Sequence, residues 1–230
     1  MTEMNPSPAA TPPRDIAIFD LDHTLSRRDT YLRFLLSVLK RRPWRLGHCV
    51  LLPAAVVIHK SGLRDNTWLK RVFLRAIAGG ATRADLSSMA RDFSAQTLQT
   101  QIYPDARACV ERHVAAGDRL VLASASFDLY VPLIGAALGF EHVLCTRAAW
   151  GSDDRLSGDI EGHNCYGPHK LTAVQTLLDN LPERGHVTMY SDHHSDLPVL
   201  RLADTGVAVN PTPKLAAAAS VHGLVTEHWR

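Results

Sequence analysis

Two aspartates one residue apart, in the run Asp20-Leu21-Asp22-His23-Thr24, carry the first evident chemistry of this sequence. A carboxylate can attack phosphorus and form an acyl phosphate. A second one, two residues on, reaches the same side. It can protonate the departing alkoxide and then take a proton from the water that hydrolyses the intermediate. The matching substrate is a phosphate monoester. That substrate is an anion, so a cation must stand between it and the carboxylates. Magnesium fits, because it takes oxygen ligands, usually one or two carboxylates together with water and substrate phosphate. Asp192, in Ser191-Asp192-His-His-Ser195-Asp196, supplies a further carboxylate. Asp20 and Asp192 are the expected metal carboxylates. Ser124 and Lys170 offer a hydroxyl and an ammonium for the equatorial phosphoryl oxygens, where transition-state charge collects. Thr24 and Asp196 are supporting groups. Asp196 lies four residues beyond Asp192, so a helix beginning there turns both the same way, and it can ligate metal through water or orient Lys170.

These residues are far apart in the chain, and only a fold that gathers them makes them a site. Each follows or opens a regular element. Asp15–Asp20, Arg119–Ser124, His142–Thr146, His186–Ser191 and Gly206–Val209 are short, near-continuous apolar runs, as expected of strands buried on both faces. Helical stretches alternate with them: Pro104–Ala116, Asp128–Leu138, Gly167–Asn180, Asp196–Leu202 and Pro213–Ala219. Alternation of this kind predicts an α/β fold, a Rossmann-like parallel sheet flanked by helices. The carboxyl ends of such strands converge, and ligands bind at that edge. Trp150–Gly162 reads as a small hairpin or loop. Residues 30–101 break the alternation, with helical patterns only and breaks near Pro43, Gly62 and Gly79-Gly80. The expected organisation is a tail over residues 1–14, a core over 15–29 and 102–230, and a helical cap over 30–101 above the first strand's end.

With these motifs in order, the chain resembles the haloacid dehalogenase superfamily, specifically its phosphoserine-phosphatase-like hydrolases with a helical cap after the first strand. Asp20-Leu-Asp22-His-Thr24-Leu25, Ser124-Ala-Ser126-Phe127, Lys170, and Asp192 with Asp196-Leu-Pro198 carry the resemblance. It implies that Asp20 is the nucleophile and Asp22 the general acid and base. It also implies that magnesium is held by Asp20, the Asp22 main-chain carbonyl and Asp192. The sequence departs from that pattern at Ser191, where Gly is usual, and at Ser195, where phosphoserine phosphatases place Asn. Asp29 stands where those enzymes carry a Glu that reads the substrate amine, which makes it a candidate substrate contact.

Composition narrows the partners. The chain has 230 residues, 46% hydrophobic and 21% charged, with a formal net charge of +2, too small to suggest nucleic-acid binding. Cys49, Cys109, Cys145 and Cys165 form no CxxC pair, which points to reduced thiols in the cytoplasm. Residues 2–13 lack the charged start and apolar run of a secretory signal. Between Arg27 and His48 seven basic residues face one acid, and Leu32, Leu35, Leu36 and Leu39 recur at helical spacing. Such a segment either packs on the core or lies on an anionic membrane, peripheral at its inner face. The Arg-Arg-Pro segment and the apolar run after it are similar to those of phosphatidylglycerophosphatase C-like members. The substrate therefore stays open between a phospholipid phosphate and a small metabolite phosphate such as phosphoserine or histidinol phosphate. A membrane-associated regulator with a phosphatase-like fold is a third reading. A phospho-acceptor switch fits less well, because Asp22 gives an acyl phosphate its own route to hydrolysis.

Overall fold

The structure, a computed structural model, describes residues 13–181 and 183–230. Of the expected tail, residues 1–12 lie outside the described residues. Arg14 is anchored, its guanidinium donating to the carbonyls of Gly117 (2.7 Å) and Asp118 (2.9 Å).

Among the described residues, seven strands form one sheet: β1 (Ile16–Phe19), β2 (Arg119–Phe127), β3 (His142–Trp150), β4 (Leu156–Glu161), β5 (Val187–Ser191), β6 (Thr205–Val209) and β7 (Val225–Glu227). Their order is β4-β3-β2-β1-β5-β6-β7, with β3 and β4 antiparallel and every other neighbouring pair parallel. The expected α/β class holds, and the Trp150–Gly162 segment is the turn and second strand of a hairpin. β7 carries no long apolar run, and its sequence did not announce it.

Why the sheet has helices on both faces is visible in β1. Ile16 and Ile18 point into a cluster with Val121, Val187, Met189 and Val174, while Ala17 and Phe19 point into one with Leu122, Phe34, Leu74 and Phe93. Alternate side chains leave opposite faces of a strand, so both faces of β1 need covering. Residues 30–101 bring four helices to the second cluster: α1 (Thr30–Arg41), α2 (Leu52–Lys60), α3 (Asn66–Ile77) and α4 (Arg83–Thr100). Asp29, Asp65 and Thr82 cap α1, α3 and α4, each side chain accepting a main-chain N–H three residues on. The segments break at Pro43, which opens a 3-10 stretch, and at Gly62 and Gly80, both with φ above +70°. The remaining helices are α5 (Pro104–Ala116), α6 (Val131–Ala137), α7 (Pro168–Asp179), α8 (Leu197–Leu202) and α9 (Pro213–His222).

The β3–β4 hairpin fixes α3. Asp159 stands 2.8 Å from Arg71 Nε and 3.5 Å from an Arg75 guanidinium nitrogen. Gly158, with φ +81°, lets the strand approach so closely that an added Cβ would lie 2.4 Å from Arg75 Cα. Two penalties therefore meet at this glycine, one for the left-handed backbone and one for the collision. Gly158→Val is expected to lower stability by about 2–5 kcal/mol in chemical denaturation. Gly162→Val, where φ is also positive but no atom of the described residues lies within 4 Å of an added Cβ, should cost clearly less.

Candidate active site

The expected groups converge at the carboxyl ends of β1, β2 and β5. Asp20 follows β1 directly, Asp192 follows β5, and Lys170 sits in the first turn of α7. Lys170 Nζ donates to Asp20 Oδ1 at 2.8 Å and to Asp196 Oδ2 at 2.6 Å. Ser191 Oγ donates to the same Asp196 oxygen at 2.9 Å. The Thr24 hydroxyl lies 3.2 Å from Asp192 Oδ1 and 3.5 Å from Asp20 Oδ2, and it accepts the Asp192 N–H at 3.0 Å. Thr24 thus ties the end of β1 to the end of β5. Between Asp22 and Thr24 the chain turns through His23 at φ 62°, the left-handed region.

Charge in this cluster is out of balance. Asp20, Asp192, Asp196 and Lys170 are all buried. Burial raises Asp20 to about 8; Lys170 pulls it down, and Asp196 and Asp192 push it up again. Burial likewise raises Asp192 to about 7, against the Thr24 hydrogen bond and with Asp196 adding to the rise. Burial alone would lower Lys170, but Asp196 and Asp20 together hold it above its ordinary value. Asp196 Oδ1 is buried with no hydrogen-bond partner among the described residues. Three carboxylates around one ammonium have the donor chemistry and the missing charge of a divalent-cation site. Among the described residues no three His, Cys, Asp or Glu side chains form a metal-holding group. A cation here would take the Asp20 and Asp192 carboxylates and complete its shell with main chain and water, as magnesium commonly does.

Asp22 is half-buried on the other side of the pocket. One carboxylate oxygen accepts the Thr30 N–H at 2.6 Å, at the start of α1, and the other accepts the Ser126 hydroxyl at 2.6 Å. Ser124 is fully buried, its Oγ accepting the Ser126 N–H at 3.0 Å. Of this pair Ser126 lines the pocket and Ser124 does not. Asp29 reaches the pocket mouth, but one of its oxygens is committed to the Leu32 N–H at 2.7 Å.

The pocket holds about 430 Å³. One side of α3 forms much of its roof through Asn66, Leu69, Lys70 and Phe73, spaced three, four and seven residues along one helical face. Lys70 was not singled out in the sequence, where it sits among other basic residues. The signal was its spacing: Leu74 and Ile77, four and seven residues later, are buried, which puts Lys70 on the inward side. Its Nζ donates to the Ala125 carbonyl at 2.6 Å and to Asn164 Oδ1 at 3.2 Å, joining α3 to the end of β2 and the loop after β4. Tyr166 and His193 also line the pocket. His193 Nδ1 pairs with Ser195, while its neighbour His194 lies outside the lining.

Residues 17–201 match the family of haloacid dehalogenase-like hydrolases. A histidinol-phosphatase from Neisseria meningitidis serogroup C is 27% identical over 223 residues, covering 91% of this chain and 96% of that one. A Bordetella pertussis Tohama I protein of unknown function has the same fold, with a TM-score of 0.78, 24% identity, and coverage of 94% and 98%. A structure described as a phospho-aspartyl intermediate analogue of phosphoserine phosphatase superposes with a TM-score of 0.63 and 15% identity, covering 94% and 93%.

Lys70 is half-buried, with its ammonium bonded inward to the Ala125 carbonyl. Burial pulls it from 10.5 down to about 8, although Asp22 and Asp29 pull it up. Between those two pH values the unfolded chain binds the proton and the folded chain does not, so stability gains as pH rises. The penalty of the buried cation is fully present below pH 8 and is relieved from there towards pH 10.5. Lys70→Met lacks this relief. Wild type should gain stability on the mutant from pH 7.5 to about 10, measured by urea unfolding of both proteins at each pH.

Proposed function

We propose that this chain, which belongs to the haloacid dehalogenase-like hydrolases, is a magnesium-dependent phosphatase that cleaves phosphate monoesters through a phospho-aspartate on Asp20. The observation that carries this reading is the pairing of Asp20 with Lys170 at 2.8 Å, with Asp22 independently held across the pocket. A bare carboxylate nucleophile needs positive charge beside it to meet an anion, and the general acid must stay apart from that charge.

In the proposed sequence Asp20 attacks phosphorus and the ester P–O bond breaks as the acyl phosphate forms. The leaving alkoxide takes a proton from Asp22. Water then gives a proton to Asp22 and attacks phosphorus, inorganic phosphate leaves, and the Asp20 carboxylate is restored. Asp22 can serve because a carboxylate has about four acceptor positions and only two are occupied here. Lys170 neutralises Asp20 in the resting state and faces phosphoryl oxygen during transfer. Ser126, beside Asp22 and lining the pocket, and the buried Ser124 beneath it order the strand end that meets the phosphate. Bound through Asp20 and Asp192, magnesium would supply the Lewis acidity that neutralises the phosphoryl oxygens.

The substrate side is formed by Asp29, Tyr31, Leu32, Leu69, Lys70 and Phe73. The apolar share of this wall favours a leaving group with hydrocarbon next to the ester, and a phospholipid monoester such as phosphatidylglycerophosphate fits it. A small amino-alcohol phosphate, such as histidinol phosphate or phosphoserine, is the second reading; it is supported by Asp29 at the mouth and by the similarity to a histidinol-phosphatase. Peripheral contact with an anionic membrane is supported by the outer side of residues 44–63. Trp44, Val50, Leu51, Val57 and Leu63 are each at least 66% exposed there, with Lys40 and Lys60 close by in the sequence. Among the described residues no helix is long and apolar enough to cross a membrane.

Phosphate release from p-nitrophenyl phosphate, phosphatidylglycerophosphate in micelles, histidinol phosphate and phosphoserine tests the reading. Magnesium-dependent turnover is expected. Asp20→Asn should reduce kcat by about 10³-fold or more, and Asp22→Asn by about 10²–10⁴-fold. Trapping of a phosphorylated wild-type chain, absent in Asp20→Asn, would identify the intermediate. Turnover by Asp20→Asn at the wild-type rate would rule the mechanism out.

A further inference from the structure

Leu32 and Leu36 stand on the outward side of α1, 44% and 47% exposed. Residues four apart lie one above the other on a helix, about 5–6 Å between Cβ atoms. Leu32 lines the catalytic pocket, whereas Leu36 lines a second cavity of about 460 Å³ together with Leu39, Pro43, Leu46 and Phe93. The mouth of the pocket and this groove are therefore joined by one apolar stripe along α1.

The groove is also charged on one side only. Arg33 and Lys40 line it, and among the described residues no carboxylate does. Arg33 Nε is buried without a hydrogen-bond partner among the described residues. A guanidinium N–H removed from water is costly until an acceptor meets it. An exposed apolar stripe has the complementary deficit, since it stays in water until hydrocarbon covers it.

We infer that this groove is a subsite for the hydrocarbon chain of an anionic lipid whose phosphate monoester lies at Asp20, with Arg33 meeting a second anionic group of the same molecule. The inference rests on the phosphatase reading above and adds the site that would select the lipid. Other occupants fit less of what is there. Arg33 and Lys40 repel a basic peptide, a neutral hydrocarbon leaves Arg33 unmet, and a small polar metabolite does not extend past Leu32. Continuity with the catalytic pocket requires a ligand with phosphate at one end and a chain at the other.

Steady-state hydrolysis of butyl phosphate and dodecyl phosphate, the latter below its micelle-forming concentration, tests this on the full chain with magnesium. Wild type should show a KM for the dodecyl ester lower by about tenfold or more, with similar kcat. Leu36→Glu should raise KM for the dodecyl ester about tenfold and leave the butyl ester as it was. Leu36 is exposed, so this variant is expected to fold, and far-ultraviolet circular dichroism checks that. Arg33→Gln should weaken short-chain phosphatidylglycerophosphate, which has a second phosphate, about fivefold, without changing dodecyl phosphate. Equal kcat/KM for the two alkyl esters in wild type, or a Leu36→Glu effect equal on both, overturns the subsite. Failure of both esters to turn over counts against the phosphatase reading instead, whereas turnover of the butyl ester alone overturns the subsite. Calorimetric binding then decides the groove: tighter dodecyl than butyl phosphate, reversed by Leu36→Glu, supports it, and equal binding overturns it.

Discussion

Lys170 holds a full positive charge at a position where almost no water reaches it, and taking an ammonium out of water costs several kcal/mol unless its partners replace the lost hydration. Here they do, at 2.8 and 2.6 Å, but the partners are themselves buried carboxylates with the same problem. The cluster is tolerable only as a set, and a third acid, Asp192, leaves it short of positive charge. That shortage forces the arrangement around it. Asp20 must sit at the end of β1, Asp192 at the end of β5 beside it, and Lys170 in the first turn of α7, which packs against β2 and β3. A parallel sheet with β1 at its centre is the simplest scaffold that delivers three such groups from segments about 150 and 170 residues apart in the chain.

The helical insertion is bound to this cluster on the side away from Lys170. Asp22 accepts the first N–H of α1, where the unsatisfied amides and helix dipole favour negative charge. Its other oxygen takes the hydroxyl of Ser126, and the Thr30 hydroxyl lies within reach of both Ser126 (3.3 Å) and the buried Tyr130 (3.0 Å). The proposed general acid thus joins the end of β1 to β2 and α1. Lys70 makes a corresponding link from α3 to β2 and Asn164. Two contacts on opposite walls let the insertion set the pocket's shape without supplying any of the groups proposed to meet phosphorus.

This division explains what could be read before folding. Asp20, Asp22 and Asp192 were legible because each is a carboxylate just beyond an apolar run, a pairing that marks strand ends, and Lys170 because it opens a helix after Gly167-Pro168. The sheet was legible from its apolar runs, since Ile16–Phe19 is apolar on both faces and Val187 and Met189 of β5 are buried. β7 was not, because Val225–Glu227 is a three-residue edge strand whose burial comes from one neighbour only. Ser126 gained its importance from Asp22, 104 residues away, and no local pattern encodes that distance. Lys70 needed the inward side of α3 to be known, which Leu74 and Ile77 reveal only after the helix bounds are set. Whether Arg27–Ile58 packs inward or faces outward proved to be a question with two answers. Phe34, Leu35 and Val38 are buried, while Leu32, Leu36, Trp44 and Leu51 are exposed.

That split places hydrocarbon on both sides of α1, and the inner and outer sides obey different constraints. The inner side must match the sheet, so Phe34 meets Phe93 and Tyr130 in a ring cluster with centroids 5.3 and 4.7 Å away, where volume changes are poorly tolerated. The outer side is free of that constraint, and a chain with no use for apolar surface there would lose little by making Leu32 and Leu36 polar. Exposed leucines are unremarkable singly. A pair at helical spacing that runs from the mouth of a charged pocket into a groove edged by Arg33 and Lys40 is a different case, because the same helix that holds Asp22 through its first N–H also directs that stripe. Chemistry and selection are then coupled through α1: a ligand that settles along the stripe bears on the helix whose N-terminus positions the acid.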